Sequence, residues 1–309
     1  MEINDGSSRR ARRQPNAQEG SLHRLHTAAS PSVRVKNNCV REARCDENAL
    51  SAGSPDRFGY EWHNYPDLRP EYEEQFRRWT AHLEPEDWRG MTFLDVGCGM
   101  GRNSYWPMAY GAAGGLAIDI DDRSLAAARR TLAPFPSMRI EKQSAYDIGC
   151  EDEFDVVFSI GVIHHLQYPE RALASMAKAT KPGGRVMIWV YGFENNWWIV
   201  TLLDPVRKAL FSRLPIGFVH HLALYPTAML WLLLRLGFGN IAYFRLLRRF
   251  GFRHLRPIVF DQMLPKIAHY WPRATVKRMM REQGLLDVRL IWVNQVSWSA
   301  IGTKAVTTQ

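Results

Sequence analysis

Residues 93–104, FLDVGCGMGRNS, constrain the fold of this chain more than any other stretch. A short apolar run of Met91, Phe93, Leu94 and Val96 carries an acid at Asp95, turns through Gly97, Gly99 and Gly101, and continues into a segment that can be helical. That order predicts a strand, a tight turn and a helix start. Glycine belongs in such a turn because a positive φ and a close approach of backbone to ligand both exclude a Cβ. A dinucleotide-binding turn would read G-x-G-x-x-G, but Arg102 holds its last position and the sequence runs G-x-G-x-G.

Strand and helix patterns alternate downstream. Apolar and branched runs predict strands at 92–96, 116–119, 138–141, 154–159 and 185–190, with helices at about 103–110, 122–132 and 169–180. Asp121, Asp122 and Ser124 surround the start of the second helix, where acids and a hydroxyl satisfy free N–H groups. Pro169 opens the third helix, and Pro182-Gly183-Gly184 follows it. A helix at 273–283, stopped by Gly284, precedes strands at 288–293 and 296–301 joined by a turn at Asn294. The alternation implies a parallel sheet covered on both faces, an α/β fold.

Residues 95–101, DVGCGMG, resemble the first motif of the class I S-adenosylmethionine-dependent methyltransferases. LAIDI at 116–120 ends in Asp119, about where a dinucleotide fold places its ribose-binding acid. FDVVFSIGVIHHL at 154–166 and KPGGRVMIWV at 181–190 resemble the family's fourth and fifth strands with their loops. The resemblance covers roughly residues 58–303 and extends to the core of the ubiquinone and menaquinone biosynthesis methyltransferases. It implies a Rossmann-like seven-stranded sheet whose last strand inserts antiparallel, with S-adenosylmethionine as the methyl donor. Gly97, Cys98, Gly99 and Gly101 would then surround the methionine end, where glycines let backbone amides approach and the following helix start favours a carboxylate. Asp95 would accept from the amino group, directly or through water. Asp119 and Ile120 would meet the ribose, Ser144 and Ala145 the adenine, and Ile160 and Gly161 the methionine chain. Many relatives carry an aspartate where this chain has Ser144, so a backbone amide or Asp147 is left to meet the adenine amino group.

The remaining chain divides by composition. Residues 1–52 are polar, without apolar periodicity, and are expected to be a disordered tail; an arginine cluster at Arg9, Arg10, Arg12 and Arg13 lies there. Residues 53–90 concentrate aromatics with charges, Tyr72, Phe76 and Trp79 mark a helix face, and the segment 58–62 resembles one that covers the cofactor site in some methyltransferases. The core, 91–194, is followed by an apolar, basic helical insertion at 195–265 and a C-terminal helix with two strands at 266–309. Residues 197–260 hold nine cations against the single acid Asp204, a net of +8 in a chain whose total is +9. Residues 222–236 are apolar nearly all round but are expected to be too short, and broken by Pro226, to span a bilayer. At 241–250, Arg245, Arg248 and Arg249 fall in one arc opposite aromatic and aliphatic residues.

A basic chain can suggest nucleic acid, but the excess charge sits in an apolar, aromatic segment. An anionic membrane surface and a small or lipid-like acceptor fit it better. No N/D-P-P-Y motif follows the fourth strand, which argues against that kind of DNA or protein amide methylation. O-methylation is the leading expectation, with C-methylation of a quinone-type ring and a non-catalytic cofactor-binding accessory as alternatives. His164 and His165 are the expected bases, with Tyr191, Glu194, His269 and Tyr270 as weaker candidates. Cys39, Cys45, Cys98 and Cys150 show no metal spacing and suggest no disulfide framework, and residues near Met1 show no secretory signal. These features set an expectation of a cytoplasmic protein, peripheral to a membrane at most.

Overall fold

Seven strands, β1 (Thr92–Val96), β2 (Gly114–Asp119), β3 (Met138–Lys142), β4 (Phe154–Ile160), β5 (Thr180–Tyr191), β6 (Leu285–Val293) and β7 (Ser297–Lys304), form one sheet. Their order is β3-β2-β1-β4-β5-β7-β6. The computed structural model describes residues 54–64, 67, 68, 70–239 and 242–306. The expected tail at 1–52, its arginines, Cys39, Cys45 and the start of the 241–250 segment lie outside the described residues.

The sheet's centre follows from its sequence. β1 is buried along its whole length and pairs in parallel with β2, Val96 opposite Ile118, and with β4, Asp95 opposite Phe158. After β3 the chain returns to the other side of β1, so the order reverses between β1 and β4, and ligands of open α/β sheets bind at such reversals beyond the strands' carboxyl ends. β7 lies antiparallel between β5 and β6. Asn294 and Gln295 both take positive φ, and Val296 N–H donates to the Val293 carbonyl at 3.1 Å, so a two-residue turn of mirror-image type joins β6 to β7.

Helices cover both faces. On one face α5 (Pro169–Ala179) and α10 (Arg273–Glu282) close a core with Leu94, Val96, Leu116 and Ile118. On the other, Phe76 and Trp79 of α2 (Glu71–Trp79) pack with Trp88, Phe93 and Phe158. α3 (Arg102–Ala109) starts at the glycine turn, and α4 (Asp122–Thr131) starts at Asp121, whose carboxylate accepts from the N–H groups of Arg123 and Ser124 at 2.9 and 3.0 Å.

α1 (Pro55–Asn64) precedes this core and is held at both sides. Arg57 donates to the carbonyls of Phe211, Ser212 and Leu214 at 2.8–3.5 Å, while Asp56 pairs with Arg123 of α4 at 2.8 Å.

Beyond β5 the insertion is helical. An irregular helix of three pieces, Ile199–Leu203, Asp204–Val206 and Arg207–Phe211, widens at both ends into π turns. Arg207 is fully buried and ion-paired with Asp204, which also meets Lys208 at 2.7 Å. α6 (Ile216–Leu222), α7 (Leu224–Arg235), α8 (Ala242–Leu247) and α9 (Phe252–Met263) complete the segment.

Three readings change here. Pro226 falls in the first turn of α7, just past a one-residue irregularity at Ala223, and the helical run from Ile216 to Arg235 continues across it. That run is long and apolar enough to cross a membrane by length and composition, against the expectation of a broken, shorter segment. Of the arginine arc on 241–250, Arg248 donates to the carbonyls of Gly237, Phe238 and Gly239 at 2.6–2.9 Å, and Arg249 faces Glu74 at 3.6 Å. Finally, Cys150 is disulfide-bonded and Cys98 is a free, buried thiol. Cysteine spacing alone does not fix disulfide pairing.

Candidate active site

The carboxyl ends of β1, β2 and β4 open into a cavity of about 690 Å³ whose other walls include α1, α2, the end of β5, the β6–β7 turn and the insertion. Of the residues singled out for the cofactor, Gly97, Cys98, Gly99, Asp119, Ile120, Ser144, Ala145, Ile160 and Gly161 line it. Asp95 and Gly101 do not.

The glycines act by leaving room. The amides of Gly97 and Cys98 both donate to the Ile118 carbonyl at 2.9 Å, and that of Gly99 donates to Asp119 at 2.9 Å. These amides are therefore occupied within the turn, contrary to the expectation that the first and third would face a ligand. A Cβ on Gly97 would sit 2.5 Å from Val162, and one on Gly99 would sit 2.8 Å from the Trp62 indole nitrogen. Gly101 starts α3 at φ 81°, with Leu132 and Ala128 packed against it, and its role is helix packing.

Asp119 caps β2 with its side chain turned back. Besides Gly99, its carboxylate accepts from the N–H groups of Ile120 at 2.8 Å and Asp121 at 3.0 Å. Burial raises its pKa, against the pull of those three amides. Asp95 sits one layer behind the turn. One oxygen accepts from Ser104 Oγ at 2.7 Å, the other has no partner, and burial pushes the carboxyl up to about 7.

These groups fit S-adenosylmethionine. An unpartnered buried carboxylate oxygen behind the turn suits an ammonium, directly or across one water, and Asp119 at the next strand's end suits a ribose diol. Ser144 accepts from Tyr146 N–H at 3.1 Å, and Asp147 is exposed and off the wall. Gln143, beside Ser144, lines the cavity instead.

The expected bases fare differently. His164 is fully buried and off the cavity wall, its ring 4.0 Å from that of Tyr191 and 4.2 Å from that of His165. Burial lowers its pKa well below the usual range, so it is a neutral core histidine that reaches no ligand. His165 lines the cavity, but its Nδ1 lies 2.8 Å from the Ile267 carbonyl and burial brings its pKa down to about 3. Of the weaker candidates, Tyr191 and Tyr270 line the cavity, whereas Glu194 and His269 do not.

Two carboxyls to which the sequence assigned no role face the same space. Glu61 of α1 is buried, with one carboxyl oxygen unpartnered, and Asp261 of α9 lies near the Tyr191 hydroxyl, 3.5 Å away. That hydroxyl accepts from Gln262 Nε2 at 2.9 Å. Burial and the charge of Asp261 raise Glu61 well above the ordinary range. Burial also raises Asp261, but the charges of Arg102 and Arg207 and the tyrosine hydrogen bond hold it at about 6. At neutral pH Asp261 is therefore mostly a carboxylate, while Glu61, raised by burial and by that charge, holds its proton to higher pH than an exposed glutamate does.

Arg102 completes this group. Its guanidinium lies over the rings of Trp62, Tyr72 and Trp79, 5.0, 5.0 and 5.4 Å from their centroids. Only aromatic density near the glycine motif hinted at such a cage, and the two carboxyls lie 200 residues apart in the chain.

Residues 94–188 match a family described as a methyltransferase domain. A tRNA U34 carboxymethyltransferase of Idiomarina loihiensis is 29% identical over 127 residues, covering 40% of this chain and 39% of its own. A mitochondrial ubiquinone biosynthesis O-methyltransferase of Dictyostelium discoideum is 25% identical over 162 residues, 48% of this chain and 49% of its own. The chain thus spans between about two fifths and half of the length of these curated relatives. Among solved structures, an O-methyltransferase family protein from Burkholderia thailandensis superposes with a TM-score of 0.50 at 13% identity, covering 76% of this chain and 57% of that one. The shared sheet, at that identity, shows the fold.

Proposed function

We propose that the class I, S-adenosylmethionine-dependent methyltransferase domain carried by this chain methylates a hydroxyl on a small, apolar or lipid-like acceptor. One observation carries this reading: the cofactor cleft is continuous with a cavity lined by aromatic and aliphatic residues of the insertion, in which Asp261 is the ionised group beside the tyrosine hydroxyl. S-adenosylmethionine supplies an already activated methyl carbon. The chain has to add alignment, exclusion of water and a place for the acceptor's proton.

Asp119 and Asp95 hold the nucleoside and amino ends, and Trp62 closes over the glycine turn. Asp261 Oδ2 takes the hydroxyl proton. A carboxylate with a pKa of about 6 is mostly ionised at neutral pH and more basic than an exposed one, as general base catalysis prefers. Glu61, whose proton burial helps to retain, faces the same space and in its protonated form donates to the acceptor oxygen and orients it. Apolar walls favour a lipophilic acceptor over a polynucleotide, whose phosphates would find Arg102 as the one lysine or arginine lining the chamber among the described residues.

Purified protein incubated with radiolabelled S-adenosylmethionine and a total lipid extract tests this. Label should pass into the organic phase and be released as methyl iodide by hot hydriodic acid, which cleaves a methyl ether and leaves a C-methyl group in place. Retention of the label through acid would favour C-methylation of a ring. Label in an RNA fraction would overturn the acceptor class, and cofactor binding without transfer to any fraction would leave an accessory protein. Asp261→Asn should lower kcat by about 10²-fold or more with cofactor affinity unchanged. The wild-type rate should rise with unit slope up to about pH 6 and level off above it, because the base works only when ionised.

A further inference from the structure

The run of α6 and α7 carries two opposed apolar stripes. Val219, Ala223, Thr227 and Leu234 are buried, packed toward α9 and its neighbours. Phe218, Tyr225, Met229, Leu232 and Leu236 are exposed, with Tyr225 at 75%, Leu236 at 65% and Met229 at 62%. At 3.6 residues per turn these five fall within roughly 60° of arc, on the side away from the buried stripe. Soluble surfaces scatter such residues singly; a full-length stripe of them marks an interaction face. Trp197, Leu202 and Phe238 add more exposed apolar surface nearby.

Charge identifies what this face meets. No Asp, Glu, Lys or Arg interrupts residues 216–234, where His220 and His221 are the titratable side chains besides Tyr225, and exposed Arg213 and Arg235 bracket them. Of the insertion's two acids, Asp204 is engaged by Arg207 and Lys208 and Asp261 faces the inner cavity, so neither opposes an anionic surface. A long apolar stripe ended by arginines matches the boundary of a bilayer containing anionic lipid, where acyl chains take the stripe and headgroups the cations. Because the buried stripe stays packed on the domain, the helix lies in the interface and does not cross it.

The same helix is a wall of the acceptor cavity. Pro226 and Met229 line that cavity, and Met229 also belongs to the exposed stripe, so the inner chamber and the outer face meet at this residue. We infer that the outer face of α6 and α7 docks on an anionic bilayer, and that an apolar acceptor passes from the acyl-chain region past Met229 into the cavity. The entry route rests on the proposed reaction; the docking does not.

Flotation of the full chain with vesicles tests the docking. Wild-type protein should float with phosphatidylcholine–phosphatidylglycerol vesicles, and its bound fraction should fall with added salt as the arginine contribution is screened. Phe218→Ser, Leu232→Ser and Leu236→Ser combined should reduce binding by about tenfold or more, while calorimetric affinity for S-adenosylhomocysteine stays at the wild-type value and shows that the fold is intact. Wild-type protein that stays unbound with these vesicles would overturn the inference, as would a triple variant that floats equally well. A stable dimer in vesicle-free buffer, dispersed by the same substitutions and indifferent to vesicles, would assign the face to a second copy of the chain. Flotation that holds in protein unable to transfer methyl groups to any lipid fraction would remove the reaction and its entry route but leave the docking.

Discussion

Asp119 illustrates how one side chain comes to serve both fold and ligand. Three amide bonds to Gly99, Ile120 and Asp121 hold the glycine turn and the chain after β2, while the carboxylate still edges the cavity. Asp119→Ala should therefore abolish most cofactor binding by calorimetry and also cost about 1–3 kcal/mol of stability in denaturant unfolding, since the amides lose a buried acceptor. Loss of binding with no change in stability would mean that the turn keeps its shape by other means. The sequence marked Asp119 because its distance from the glycines is a local, one-dimensional signal. Glu61, Asp261 and Arg102 left no such trace, as only the folding of α1 and α9 onto the sheet makes neighbours of them. For His164 and His165 the position after β4 was legible, but that the first ring faces the core and the second the cavity was not.

Among the elements, the core strands and helices were legible because period-two and period-3.6 patterns are strong when one face is buried. α7 was misjudged because a proline looks like a break until its place in the first turn is known. α1 was visible as a run of aromatics resembling a cofactor cover, and it also ties the sheet's helices to the insertion. Arg57 caps the irregular helix, Asp56 reaches α4, and Gly59 packs so tightly against Asp121 that a Cβ would overlap its carboxylate. Gly59→Ala should lift α1 from α4, carrying Trp62 away from Gly99. The expected result is faster S-adenosylhomocysteine release in stopped-flow fluorescence, by about tenfold for each 1.4 kcal/mol of packing lost. Unchanged release kinetics would show that α1 does not retain the cofactor. Arg57→Ala should instead loosen the insertion and leave the cofactor's release rate nearly unaltered.

At the scale of the whole molecule, the cavity concentrates carboxyls that are poorly placed for folding and well placed for chemistry. Asp95, Glu61 and Asp261 are all pushed upward by burial, so the folded chain binds their protons more tightly than the unfolded chain does. Such a group contributes its stability below the unfolded carboxylate range, and the contribution is lost as pH rises through the folded value. His164 and His165, held neutral by burial, act in the opposite direction, and their stability is lost as pH falls below the ordinary histidine range. The total pH dependence therefore mixes two trends, but a single substitution separates one of them. Asp95→Asn keeps a hydrogen-bonding oxygen for Ser104 and removes the buried charge, whose pKa of about 7 makes it ionised in part at neutral pH and fully above. Its melting temperature should exceed that of wild type at about pH 8, and the gap should close below about pH 4, where both side chains are neutral. The same variant should bind S-adenosylmethionine more weakly at high pH, because the carboxylate that costs stability is the one that meets the ammonium. A variant with unaltered stability across this range would place the Asp95 charge in contact with water, and the cavity would then lack the buried acceptor on which its amino-end recognition depends.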